Sequence, residues 1–296
     1  MKVFAFIPAF NEEESIDKLL IELKQHFKGE KKFILKTLLI NDGSTDKTVM
    51  IAEKFGVDYI THHPENMGLG AATRSGMRKS LELGADVAIK LDADHQHSVK
   101  DIEACVMPII EDKADIVWGS RFQGKITYKM PLYRKLGNKF FTWLMNLLTD
   151  YKISDAQTGL MAFGKNYLKV FKILSDYNPP QQLLIDANSK KMRYYEVPVT
   201  FNARKTGKSF ISIKYPFKVI TAIIWILFHA NPLRVFIPIS LIFFVTSIIV
   251  TIFNLFSFYA GLADIPISNN VLVTVCFLAG LQTLFFGILA DMIIKK

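Results

Sequence analysis

From Val235 to Ala263 the chain carries no charged side chain, and after the single Asp264 it carries none again until Asp291. Each stretch exceeds the roughly 20 residues a helix needs to cross a hydrocarbon core, and buried helices of water-soluble domains rarely run so far without a charge. The pattern predicts two transmembrane helices, near residues 233–258 and 271–294, forming a hairpin over residues 233–296. The turn between them, Tyr259 to Asn270, has no Lys or Arg, whereas Arg234 and Lys295-Lys296 flank the other ends. The positive-inside rule then places the hairpin tip outside and both termini in the cytoplasm, as in an integral protein of the cell membrane.

Immediately upstream, Ile211 to Asn231 mixes Lys214, Lys218 and His229 with Phe217, Ile220, Ile223, Ile224, Trp225, Leu227 and Phe228, bounded by Pro216 and Pro232. Residues 211–232 therefore read as amphipathic juxtamembrane helices lying in the interface, although a core helix fits the same pattern.

Residues 1–210 read differently. Half of the chain is apolar, which suffices for a sizeable core and excludes intrinsic disorder, and only two cysteines exclude a disulfide scaffold. Cys105 and Cys276 lack CxxC spacing and read as buried apolar residues in a reducing compartment. The N-terminal run Val3–Phe10 is short, preceded by one Lys and followed by Glu12-Glu13-Glu14, so it is expected to be a buried strand and not an export signal.

Strands and helices then alternate. Val3–Pro8 precedes a helix expected to be capped by Asn11 with Glu14 three residues on, its Ile16, Leu19, Leu20, Leu23 and Phe27 on one face. Ile34–Ile40 is followed by a short helix with Val49, Ala52 and Phe55 inward. Val57–Thr61 precedes a helix over Gly68–Leu83, Val87–Leu91 one over Ser98–Glu111 with a Ser98–Asp101 capping box, and Ile116–Gly119 is a further strand. Continuous apolar strands separated by helices define an α/β domain with a mostly parallel sheet covered on both faces, which binds ligands at the carboxyl ends of its strands.

Three polar turns fall at those ends: Pro8-Ala9-Phe10-Asn11-Glu12, Asn41-Asp42-Gly43-Ser44-Thr45-Asp46 and Asp92-Ala93-Asp94-His95-Gln96. Asp92 and Asp94, with Gln96, supply hard oxygen ligands suited to Mg²⁺ or Mn²⁺; the same residues also suit a turn before a helix. Asp42 can accept hydrogen bonds from a nucleobase or serve a solvated turn. Asn66-Met67-Gly68-Leu69-Gly70 can bring backbone close to phosphate or sugar, but lacks the third glycine of a dinucleotide fingerprint.

Together with Gly119-Ser120-Arg121, Asp155-Ala156-Gln157-Thr158-Gly159 and Val197-Pro198-Val199-Thr200-Phe201-Asn202-Ala203-Arg204-Lys205-Thr206-Gly207-Lys208-Ser209, these motifs resemble the family-2 glycosyltransferases of the GT-A (Rossmann-like) fold, and more narrowly the polyprenyl-phosphate (dolichyl-phosphate type) hexose synthases. The resemblance implies a nucleotide-sugar site at Pro8, Ala9, Phe10, Asn11, Glu12, Asp42, Gly70, Asp92 and Ala93. It implies a metal site at Asp92, Asp94 and Gln96, and an acceptor-phosphate site at Arg121, Arg134, Arg204 and Lys208. Asp94, Asp155, Arg121 and Arg204 become the expected catalytic residues, Asp155 orienting the reacting groups or acting as a base. The implied reaction is inverting transfer of one hexose from a nucleotide sugar to polyprenyl (undecaprenyl or dolichyl) phosphate at the cytoplasmic membrane face. UDP-glucose is the expected donor ahead of GDP-mannose and UDP-GlcNAc.

Two motifs depart from the family pattern: Asn41 stands where an acid is usual, and Thr158-Gly159-Leu160 replaces Ser-Gly-Phe. No Gln-x-x-Arg-Trp motif follows Gln181-Gln182, which disfavours a processive synthase. A net charge of +9 suits anionic lipid and phosphate ligands, and no zinc spacing, helix-turn-helix or RNP-like motif points to nucleic acid. Transfer to another lipid or a glycan, and a non-catalytic sugar-nucleotide-binding scaffold, are the competing functions. Oligomeric state stays open, a homo-oligomer packed through the hairpin being one arrangement.

Overall fold

A computed structural model describes residues 1–30, 32–176, 179–203, 228, 232–262, 264–266 and 270–294. The chain separates into two compact units, Met1–Ala222 and Ile223–Lys296. The juxtamembrane helices expected over 211–232 lie outside the described residues apart from Phe228 and Pro232.

The first unit is a seven-stranded sheet in the order β3-β2-β1-β4-β6-β5-β7. Its strands are β1 (Lys2–Ala9), β2 (Ile34–Asn41), β3 (Tyr59–His62), β4 (Val87–Lys90), β5 (Ile116–Ile126), β6 (Met161–Gly164) and β7 (Tyr194–Phe201). β1 pairs in parallel with β2 and β4, β2 with β3, and β5 with β7; β6 alone is antiparallel to its neighbours β4 and β5. The middle of the sheet is apolar because both faces are covered: Val3, Ala5, Ile7, Leu39, Val87, Ile89, Val117 and Ala162 share one core with Ile16, Leu19, Leu20 and Leu23 of α1 (Ile16–His26) and Ile102, Cys105 and Val106 of α4 (Asp101–Ile110). α2 (Thr48–Lys54), α3 (Leu69–Glu82), α5 (Leu132–Leu148), α6 (Lys165–Leu168) and α7 (Pro179–Ser189) complete the unit.

Three local expectations change. Asn11 does not cap α1: it adopts a left-handed φ of 53°, its Oδ1 accepts from Thr45 N at 2.9 Å, and the helix starts at Ile16. The Ser98–Asp101 capping box does not form, because Asp101 Oδ2 instead accepts from Thr200 N on β7 at 2.6 Å. β5 runs seven residues past Gly119, to Ile126, pairing with β7 through an irregular register between Ser120 and Lys125.

The second unit contains α8 (Leu233–Tyr259) and α9 (Asn270–Ile294), both long and apolar enough to cross a membrane, with mean hydropathies of 2.6 and 2.2. Their ends fall within one residue of the expected spans. They pack on each other through Phe244 and Phe277, with ring centroids 5.5 Å apart, and through Ser247, whose hydroxyl donates to the Val273 carbonyl at 3.1 Å.

Candidate active site

Parallel pairing puts the carboxyl ends of β1, β2 and β4 on one edge, so the three polar turns are neighbours there. β6 runs the opposite way, and the loop that enters it, Asp155–Leu160, therefore arrives at that same edge. A reversed strand thus brings the Asp155 motif beside the Asp92 motif, although 62 residues separate Asp92 from Asp155.

The turns after β1 and β2 are laced together. Ser44 Oγ accepts from Asn11 N at 3.1 Å, Thr48 Oγ1 from Glu12 N at 2.8 Å, and Glu13 Oε2 from Lys47 N at 3.0 Å. Asn41 serves this turn as well, its Oδ1 accepting from Ser44 N at 2.9 Å. Asp42, 4% exposed, accepts from Met67 N (3.0 Å) and Gly68 N (2.9 Å), and His63 Nδ1–H donates to it across 2.6 Å while His63 Nε2 faces Ser75 Oγ at 2.8 Å. Its first task is therefore to shape the Asn66–Gly70 loop. Gly70 N is spent on the Asp176 carbonyl at 3.0 Å, with its Cα packed on the Ser175–Asp176 backbone, so chain packing already accounts for this glycine.

Asp92 leaves β4 beside Lys90, a strand residue 1% exposed whose ammonium pairs with Asp92 and also donates to the Gly159 carbonyl at 3.3 Å. A Cβ on Gly159 would lie 2.0 Å from Asp92 Oδ2 and 2.8 Å from His97 Nε2, so this approach requires glycine. Gly159→Ala is expected to push Asp92 off Lys90 and raise the donor KM, with a smaller change in the melting temperature; an unchanged KM would show that this contact does not matter to the donor. Asp94 is half-buried, and its Oδ1 accepts from Gln96 N at 3.1 Å. Gln96 is tied to Asn202, past the end of β7, by Gln96 Nε2 donating to the Asn202 carbonyl at 3.3 Å and Asn202 N donating to the Gln96 carbonyl at 2.7 Å. His95 between them holds φ at 60°, a strained value for a side-chain-bearing residue, and such strain gathers at working turns.

Among the described residues no three His, Cys, Asp or Glu side chains converge into a closed metal site. The Asp92, Asp94 and Gln96 set fits a different kind of site, in which few protein oxygens leave coordination positions for substrate phosphates, as Mg²⁺ and Mn²⁺ prefer.

Arg121 and Asp155 form the densest polar contact of the edge. Arg121 Nε and Nη2 reach Asp155 Oδ2 and Oδ1 at 2.6 and 2.8 Å, Arg121 N donates to Oδ2 at 3.1 Å, and Nη2 also donates to the Gln157 carbonyl at 2.8 Å. Asn138 Nδ2 (2.9 Å) and Gln157 N (3.1 Å) complete the shell of Asp155, which is 0% exposed. Burial alone would raise the Asp155 carboxyl, but the Arg121 charge and these hydrogen bonds hold it below the usual carboxylate range. The carboxyl is thus held ionised and enclosed by donors on every side that the described residues show. The guanidinium also lies 4.9 Å from the Phe201 ring centroid, which leaves Nη1 as the nitrogen not engaged by Asp155 or Gln157.

Several of these supports were not read from the sequence. Asn138, Thr142 and Asn146 recur every fourth residue on α5 and hold the loop: Thr142 Oγ1 donates to Asn138 Oδ1 and accepts from Ala156 N, and Asn146 exchanges bonds with both the N–H and the carbonyl of Ile153. Glu196 on β7 accepts from Ser154 N and, at 3.2 Å, from Asp155 N. The uncharged polar i, i+4, i+8 spacing of Asn138, Thr142 and Asn146 on an amphipathic helix, and a Lys inside a buried strand, are the signals that mark them. Arg134, on the first turn of α5, is half-buried with its guanidinium 5.9 Å from the Tyr133 ring centroid; Arg204 and Lys208 lie outside the described residues.

His97 sits beneath this cluster, 2% exposed, neither ring nitrogen having a hydrogen-bond partner among the described residues. Burial, reinforced by Arg121 and Lys90 and opposed by Asp92, lowers its pKa to about 4. A proton taken up by the unfolded chain is thus excluded from the folded one. Stability is expected to fall as pH drops below about 6.5, by about 3 kcal/mol on reaching pH 4, and His97→Gln is expected to remove that part of the pH dependence in denaturation measured at both ends.

Comparison with known proteins gives the family and the fold. Residues 4–171 match the model of glycosyl transferase family 2, and residues 231–295 match that of the GtrB C-terminal hairpin. The chain belongs to glycosyl transferase family 2. It is 33% identical over 217 residues to a UDP-N-acetylglucosamine–dolichyl-phosphate N-acetylglucosaminyltransferase of Methanococcus voltae, covering 67% of this chain and 84% of that one. It is 29% identical to a dolichyl-phosphate beta-glucosyltransferase of Trichomonas vaginalis, covering 70% and 67%. Glucosyl-3-phosphoglycerate synthase of Mycobacterium tuberculosis, solved with Mn²⁺ and UDP, superposes with a TM-score of 0.59 at 17% identity over 76% of this chain and 79% of that one, which establishes a shared GT-A fold.

Proposed function

We propose that this protein transfers one hexose, with inversion, from a nucleotide sugar to a polyprenyl phosphate at the cytoplasmic face of a membrane. The observation that carries the reading is the junction at the sheet edge where the Asp92–Gln96 turn meets an Arg121 fixed bidentately by buried Asp155. One side is suited to a diphosphate, the other to a phosphate, and the family membership and dolichyl-phosphate-using relatives support the same reading.

In this account Pro8, Ala9, Phe10, Asn11, Glu12 and Ala93 line the nucleotide site, with Asp42 and Gly70 shaping its far wall. Asp94 and Gln96, with Asp92 alongside, would hold Mg²⁺ or Mn²⁺, which when bound supplies positive charge for the departing diphosphate. The acceptor phosphate is anionic near neutral pH, so its oxygen forms the new bond to C1 while the bond from C1 to the diphosphate breaks and nucleoside diphosphate leaves. No side chain has to remove a proton, which suits an Asp155 that is hidden and weakly basic. Arg121, through Nη1, with Arg134, Arg204 and Lys208, positions the acceptor phosphate; Arg is favoured there by its fixed fork of donors. The hairpin keeps the enzyme in the bilayer that holds the polyprenyl tail, with both termini on the cytoplasmic side by the distribution of Arg234 and Lys295-Lys296.

UDP-glucose is the proposed donor, with UDP-N-acetylglucosamine its main competitor in view of the Methanococcus voltae relative. Release of UDP or GDP from UDP-glucose, UDP-GlcNAc and GDP-mannose tests the acceptor class when measured with polyprenyl phosphate, polyprenol or diacylglycerol. The account expects release only with the phosphate; equal release with diacylglycerol would point to another lipid acceptor, and none with any lipid to a binding scaffold.

A further inference from the structure

α5 presents an apolar stripe to the outside while its opposite face holds the Asp155 loop. Leu132, Leu136, Phe140, Trp143 and Leu147 follow one another at three- and four-residue steps, and Leu132, Trp143 and Leu147 are 71, 59 and 63% exposed. An exposed helix of a water-soluble domain places polar groups at such positions. From Lys125 to Thr149 there are five basic residues, Lys125, Lys129, Arg134, Lys135 and Lys139, and no acid; all four lysines are exposed, and Lys135 and Lys139 run along one flank of the stripe. A cleft of about 600 Å³ opens at the start of the helix between Phe122, Tyr128, Met130 and Leu132, edged by Lys129 and Lys135.

We propose that α5 is a second membrane contact, lying in the interface of an anionic bilayer with Leu136, Phe140, Trp143 and Leu147 in the acyl boundary and the flanking lysines at the headgroup phosphates. The charge of the segment selects this occupant: an acid-free basic flank beside an apolar stripe with Trp at its centre suits an anionic lipid surface. A chain already tethered to a bilayer by α8 and α9 meets that surface at high effective concentration. The consequence is mechanical. Asn138, Thr142 and Asn146 sit on the inner face of the same helix, so seating α5 in the interface would hold the Arg121–Asp155 pair at a fixed depth relative to lipid headgroups.

The test does not use sugar transfer, so it stands or fails apart from the proposed reaction. Nitroxide labels are placed singly at Leu136→Cys, Phe140→Cys, Trp143→Cys and Leu147→Cys in the full chain, whose own Cys105 and Cys276 are buried, in nanodiscs containing phosphatidylglycerol. Collisions with oxygen are expected to exceed those with a water-soluble nickel chelate several-fold at all four positions, and the ratio to invert at Glu53→Cys on α2. Adding Lys135→Glu and Lys139→Glu is expected to lower the ratio. Free access of the chelate to the four labels would place the stripe in water. Exclusion of both reagents would place it against protein, either residues 204–231 or a second copy. Either result overturns the proposal.

Discussion

Asp155→Asn is expected to cost the protein about 3–5 kcal/mol and lower its melting temperature by on the order of 10 °C, together with nearly all transfer activity. The substitution leaves the Arg121 guanidinium, whose side chain is 11% exposed, with its charge uncompensated in a site arranged around a carboxylate. An amide nitrogen in place of Oδ2 also faces two donors, Arg121 N and Nε, so the fork that ties Arg121 to the loop entering β6 is lost even where Oδ1 keeps its bonds from Asn138 Nδ2 and Gln157 N. Arg121→Lys is expected to resemble it, because an ammonium cannot donate to Asp155 from two directions and reach Gln157 as well. A variant that kept its melting temperature and lost only activity would return Asp155 to the role of a base.

Asp94→Ala should separate chemistry from stability in the opposite sense. Asp94 is half-buried and far less enclosed than Asp155, so the melting temperature is expected to stay near that of the parent protein, while transfer falls about 10²–10³-fold and the response to added Mg²⁺ or Mn²⁺ disappears. Asp92→Ala is the internal contrast: it strands the 1% exposed Lys90 without its carboxylate and is expected to lose stability as well. If Asp94→Ala retained metal-stimulated transfer, the metal would have to be held elsewhere.

The order of strands and helices over the first 120 residues was legible because the buried strands are mostly apolar, β-branched runs and the helices between them repeat an apolar face. The hairpin was legible for a cruder reason, the absence of charge over two long stretches. What stayed hidden depends on pairing between distant segments. Nothing local to Met161–Gly164 says that this strand runs against its neighbours, yet that reversal delivers Gly159 to Asp92. Asn11 and Asp101 have the local chemistry of caps, but long-range partners, Thr45 and Thr200, compete for them and win. Likewise nothing near Asp155 in the sequence announces the shell that Arg121, Asn138 and Gln157 build around it, because those partners come from β5, α5 and the loop itself. The surface stripe of α5 was in the sequence all along, but its exposure depends on which face of the helix the sheet takes.

The most direct test is lipid analysis of one reaction: the purified full chain in membranes with undecaprenyl phosphate, Mg²⁺ or Mn²⁺ and each of UDP-glucose, UDP-GlcNAc and GDP-mannose, read by mass spectrometry. The account predicts a new lipid heavier than undecaprenyl phosphate by a single sugar, formed with one donor and absent when the metal is chelated. Lipid fractions unchanged with every donor, from a protein that still binds nucleotide, would contradict it.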